Sequence, residues 1–229
     1  MQRPAHARVV IPALFQPLDV SALAVFRILF GALMVWEVVR GAEEGKVIAD
    51  FLRPAFHFTY PFFDVVRPWP GQGMHVHLAV MGLSALGLAL GWRYRVCASL
   101  FFLTYTYAFL IDQTTYNNHY YLISLLAFLF IMVDAHRWAS VDAWRRPRLQ
   151  REAVPRWQLW IFRAQLVIVY TYAGIAKLKP DWLCGEPLRQ WLADRTDLFL
   201  IGPWLTQEWV VWLFTYGGLA FDLAIGLLL

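Results

Sequence analysis

The chain has 229 residues, 59% of them hydrophobic and only 16% charged, with a formal net charge of +4 and a mean hydropathy of +0.48. Soluble domains carry about 25% charged residues, so the polar side chains here are too few to cover a water-facing surface. That excludes an ordinary soluble globule. The small positive balance sits on short connections between apolar runs, which reads as membrane topology and not as nucleic-acid binding.

The first apolar run, 21–39 (SALAVFRILFGALMVWEVV), is long enough to span a bilayer, and no small-residue cleavage site follows it, so no signal peptide is evident. The next stretch, 40–73, contains Pro54, Pro61, Pro68 and Pro70, a spacing no continuous helix tolerates. Its aromatic-rich part (FHFTYPFFDVVRPWP) is expected to be irregular and to pack across the mouth of a helix bundle. Further spans are expected at 74–91, 96–112, 119–134, 157–177 and 209–229, several of them short of the ~20 residues that a perpendicular helix needs. The predicted fold is therefore all-α, a polytopic transmembrane helix bundle of about six spans forming one domain over 1–229. The sequence stops inside the apolar run FDLAIGLLL, which predicts further helices downstream.

Loop charges alternate along these spans. Arg3 and Arg8, then Arg93 and Arg95, then Arg137, Arg145, Arg146, Arg148, Arg151 and Arg156 mark one side. The other connections are balanced or acidic, through Glu43, Glu44, Asp50, Asp64, Asp112, Asp181, Glu186, Asp194, Asp197 and Glu208. The positive-inside rule then predicts a cytoplasmic N-terminus. The loop DQTTYNNHYY, the aromatic segment 51–70 and the AKLKPDW end of the fifth span fall together on the outer face. Cys97 falls near the inner face and Cys184 near the outer one, so a disulfide between them is not expected, and neither cysteine has metal-ligand spacing.

Lys177 ends the fifth span. As an ordinary interfacial lysine it would snorkel, its stem in lipid and its ammonium among the headgroups. Yet Lys179 and Trp182 already supply an anchor, and Ala173, Gly174 and Ala176 leave little bulk in the preceding turn, which suits close helix packing or a ligand. A lysine facing such an interior could serve as a neutral-amine base, because desolvation disfavours its charged form. Asn117, Asn118 and His119 open the fourth span. Either asparagine is a good N-cap, and with Lys177 on the same face the three could instead hold an oxyanion or a quinone oxygen. Arg27 and Asp222 lie at depth, where structural pairing is expected. His75, His77 and His136 lie near span ends, and no haem pair, phosphate loop or catalytic triad is discernible.

The runs LDVSALAVFRILFGALMVWEVVR, NNHYYL, SVDA and AG-x-x-K-L-x-x-DW occur in order. In these residues the chain resembles the membrane domain of vitamin K-dependent gamma-glutamyl carboxylases and the wider bacterial HTTM group, over almost its whole length. The resemblance implies a reaction. Lys177, at the family's catalytic lysine position, would deprotonate vitamin K hydroquinone. Oxygen then adds, a strongly basic alkoxide removes a glutamate γ-proton, and the carbanion takes up CO2 while the vitamin leaves as its epoxide. His119 would assist at the quinone or the carbanion, with Asn118 and Asn117 as quinone contacts. The partners implied are the lipid bilayer, a glutamate-containing peptide or other carbon acid and a quinone reductase, in a bacterial inner membrane. Two features depart from the family: Ala176 stands where vertebrate members carry a second lysine, and the β-rich extramembrane region of the carboxylases is not in this sequence. Two other readings remain open, a different quinone- or lipid-dependent membrane redox enzyme and a non-catalytic membrane-binding or assembly module.

Overall fold

In the computed structural model, which describes residues 12–228, the chain forms two compact units, Met1–Leu159 and Trp160–Leu229. Arg3 and Arg8, used above for orientation, lie outside the described residues.

The first unit is built on four helices, α1 (Ser21–Glu43), α2 (Gly73–Leu90), α3 (Tyr94–Leu110) and α4 (Asn118–Met132), each packed on the next in chain order. Short connections make this sequential packing. Gly91 ends α2 in the left-handed region at φ 63°, and α3 starts three residues later. Small residues bring the helices close: a Cβ on Gly31 of α1 would lie 2.7 Å from the backbone nitrogen of Ala89. Phe30 then centres the core, 5.1 Å from Phe130 and 5.9 Å from Phe101 between ring centroids.

Two short strands accompany the helices, β1 (Pro17–Asp19) and β2 (Ala153–Pro155), paired antiparallel with Leu18 opposite Val154. Between α4 and β2 lies the short helix α5 (Val141–Arg145), capped by Ser140, whose hydroxyl accepts from Ala143 N at 3.0 Å. This end of the unit is tied by buried polar contacts. The fully buried Arg27 donates to the carbonyl of Ala139 at 2.6 Å. The Asp142 carboxylate accepts from Arg93 N and Tyr94 N at 3.0 and 2.8 Å, and Tyr94 Oη donates to Phe130 O at 2.5 Å.

At the opposite end, a π-helical turn at Val47–Leu52 leads into the proline-bearing segment. As expected, that segment is irregular and lies over the bundle end: Gln113 N donates to Phe58 O, Tyr107 Oη donates to Arg67 O, and Trp69 stacks on Tyr107 at 5.1 Å.

The second unit contains most of α6 (Trp157–Ala176), the short helices α7 (Pro180–Leu183) and α8 (Glu186–Ala193), and α9 (Glu208–Leu228). Gly174 of α6 faces α9, where its Cβ would meet Leu223 Cδ2 at 2.6 Å, and Tyr170 meets Phe221 edge-on at 5.8 Å.

Helices stand at all six expected positions, and the fold is all-α apart from the small strand pair. Four of them, α1, α2, α6 and α9, are long and apolar enough to cross a membrane. At 17 and 15 residues, α3 and α4 are shorter than the others.

Candidate functional site

Lys177 closes the last turn of α6, its backbone N–H bonded to Ala173 O and Gly174 O. Pro180 then starts α7 and turns the chain, which brings Trp182 back under the lysine. Lys177 Nζ donates to Asp222 Oδ2 at 2.7 Å and lies 4.9 Å from the centroid of the Trp182 ring. The indole N–H donates in turn to Thr215 O at 3.4 Å, which fixes the ring. Asp222 is 8% exposed and Lys177 22%. The amine is therefore neither free in headgroups nor sealed in the core.

The remaining flank of the amine is shaped by α9. A Cβ added to Gly218 would lie 3.6 Å from Nζ, and one added to Gly217 would meet nothing within 4 Å. Gly218, and not the AGIA turn, is the small residue beside the amine. Gly174 is spent on close packing against Leu223, the helix-packing alternative raised by its sequence.

Asp222 is the site residue that the sequence reading did not connect to Lys177. A signal existed. Val211, Thr215, Gly218 and Asp222 recur at helical spacing, so they form one stripe of α9, and a lone acid on such a stripe needs a cation.

Asn117, Asn118 and His119 are brought together at the start of α4, within the first unit. Asn117 is the N-cap: its Oδ1 accepts from His119 N at 2.9 Å and also faces His119 Nδ1 at 2.6 Å. Because an amide oxygen only accepts, this contact requires the proton on Nδ1. Asn118 Oδ1 accepts from Tyr116 Oη at 2.9 Å. His119 is exposed.

A second histidine, unremarked in the sequence, lies in the proline-bearing segment. His57 Nδ1 lies 3.1 Å from Asp112 Oδ2, and its Nε2 lies 3.2 Å from Phe51 O. Burial acts to raise the Asp112 carboxyl, but bonds from Thr114 N–H, the Thr114 hydroxyl and His57 outweigh it and hold the group below its ordinary value. The sequence signal was weak because His57 and Asp112 lie 55 positions apart, with no periodicity linking them. Arg27, by contrast, is a structural tie to Ala139, and Asp222 is paired by Lys177. Among the described residues no group of three His, Cys, Asp or Glu side chains could hold a metal ion, and both cysteines are free thiols.

These features define a class: an all-α membrane-associated protein with a lysine–carboxylate pair at the end of an apolar helix. A family model described as the HTTM domain matches residues 15–229. The chain thus belongs to the HTTM domain family, the domain of the vitamin K-dependent carboxylase family. No solved structure matches the chain.

Proposed function

We propose that the chain is the membrane domain of a bacterial-type enzyme related to vitamin K-dependent gamma-glutamyl carboxylase, with Lys177 as its base. The observation that carries this reading is the amine itself, held at 2.7 Å by a buried carboxylate, with Gly218 beside Nζ offering no side chain. That donor set fits a phenolic hydroxyl on a flat apolar ring. Nζ can accept a proton, the Trp182 indole offers an aromatic face, and Gly218 offers no side chain to exclude a ring. Bound reduced vitamin K, with O2, would supply a base strong enough to remove a glutamate γ-proton, and CO2 would add to the resulting carbanion as the epoxide departs.

The chain's own residues would do the following. Lys177 is the group that takes the phenolic proton, onto Nζ. Asp222 accepts an N–H from the resulting ammonium and offsets its charge in an apolar setting, where an unpaired cation is costly. His119 presents Nε2 as a proton acceptor, because Asn117 holds the proton on Nδ1. Asn117 and Asn118 use their amide oxygens locally, so their NH2 groups are the parts available to a quinone oxygen. The partners required are a glutamate-containing peptide or other carbon acid and a quinone reductase.

The test supplies the full-length protein, in nanodiscs, with reduced vitamin K, O2, a glutamate peptide and labelled bicarbonate. Wild type is expected to form epoxide and labelled peptide, and Lys177→Met to form neither. Epoxide without labelled peptide would move the function to another quinol-dependent redox reaction. A second reading is favoured by the same 2.7 Å contact: the Lys177–Asp222 pair only locks α6 to α9. Wild type forming no epoxide, or Lys177→Met keeping full activity, would leave that reading in place.

A further inference from the structure

A cavity of about 150 Å³ lies within the first unit, and what it binds is independent of the function proposed for Lys177. An apolar cavity of about that volume takes a benzene ring. Its walls are apolar, from Val38 of α1, Leu78 and Met81 of α2 and Phe109 of α3, with the rings of Tyr105 and Tyr120 alongside. Its polar rim is made by Glu37, Lys46 and Asp50.

The charges at this rim do not cancel. Arg40 holds Glu37 through two nitrogens, at 2.6 and 3.2 Å, and reaches Glu44 at 2.8 Å. Lys46 lies 3.6 Å from Glu37 and 3.5 Å from Glu44. Two bases are thus matched to two acids. Asp50, half-buried on the π-helical turn, has no hydrogen-bond or ion-pair partner among the described residues. An unpaired carboxylate beside an apolar, aromatic-walled cavity attracts a cation more than a neutral group or an anion.

We propose that this cavity binds an organic ammonium carrying an apolar body of about one ring, with the ammonium on Asp50 and the ring among Val38, Met81 and Phe109. The ammonium could belong to a free amine or to an aminophospholipid headgroup. Both present the same chemistry to Asp50.

The test is calorimetric titration of the full-length protein with benzylamine, in phosphatidylglycerol nanodiscs and in nanodiscs containing phosphatidylethanolamine. Benzylamine is expected to bind, with benzyl alcohol roughly tenfold weaker and benzoate weaker still. Asp50→Asn keeps the side-chain shape and is expected to weaken benzylamine by roughly tenfold, with unchanged circular dichroism. Ala108→Leu, which fills the cavity wall, is expected to weaken all three probes together. Competition by phosphatidylethanolamine would assign the site to a lipid headgroup, and its absence to a free amine. The proposal is overturned if benzylamine does not bind, if benzoate binds as tightly as benzylamine, or if a folded Asp50→Asn protein binds it unchanged.

Discussion

At the scale of single residues, the informative charges are those without water. Removing only Lys177 leaves Asp222 buried and uncompensated, whereas removing both partners leaves two apolar groups. Lys177→Met is therefore expected to lower unfolding stability by about 3 kcal/mol, the low end of the range for a broken buried pair because the lysine keeps some solvent. The double variant Lys177→Met with Asp222→Leu should recover most of that loss. Denaturant titration in detergent measures both, and recovery of stability without recovery of epoxide formation would separate the chemistry of the lysine from its packing. His136 gives a pH signature of different origin. Burial, reinforced by the neighbouring Arg137 charge, holds its pKa down to about 4 from 6.5. Below pH 6.5 the unfolded chain takes up a proton that the folded protein refuses until about pH 4, so this histidine erodes stability as pH falls through that window and has no effect above it. The loss amounts to about 3 kcal/mol at most. His136→Phe keeps a ring to stack on Tyr94, 4.7 Å away, and should flatten the acid side of the stability curve. An unchanged acid limb in that variant would show that other groups set it.

At the scale of elements, close helix contacts differ in what must yield when they are crowded. A methyl at Gly31 meets the backbone of Ala89, and a methyl at Gly174 meets the far end of the Leu223 side chain. Side chains rotate and helix backbones do not, so Gly31→Ala is expected to destabilise by about 1–3 kcal/mol and Gly174→Ala by distinctly less. Thermal unfolding of the two variants side by side reads this directly, and equal losses would place the α6–α9 contact on rigid atoms too. These contacts also mark the limit of what the sequence disclosed. The apolar runs were legible because length and hydropathy act locally, and the N-cap role of Asn117 or Asn118 was legible because a cap is a contact within one turn. The β1–β2 pair was not, since three residues on each side carry no period to detect. The tie between Arg27 and Ala139 spans 112 positions, and the Lys177–Asp222 contact spans 45. Each residue was conspicuous alone, but only the folded chain supplies its partner.

At the scale of the whole molecule, the distribution of arginines is an orientation argument that the folded chain makes testable. Arg145, Arg146, Arg148 and Arg151 are all exposed on the connection between α4 and α6, so their charges are presented to solvent and to lipid headgroups. They are not used up in internal pairs. By the positive-inside rule that connection is expected in the cytoplasm. The two cysteines report on this without added labels. Cys184 is exposed just after α7, while Cys97 is 5% exposed and its Sγ donates to Trp92 O at 3.0 Å. A membrane-impermeant maleimide applied to intact cells is expected to label the Cys97→Ser protein, through Cys184, and to leave the Cys184→Ser protein unlabelled even after permeabilisation. Labelling of Cys184 only after permeabilisation would reverse the orientation. Lys177 and its carboxylate would then face the cytoplasm, and any substrate of the reaction proposed for Lys177 would have to reach it from there.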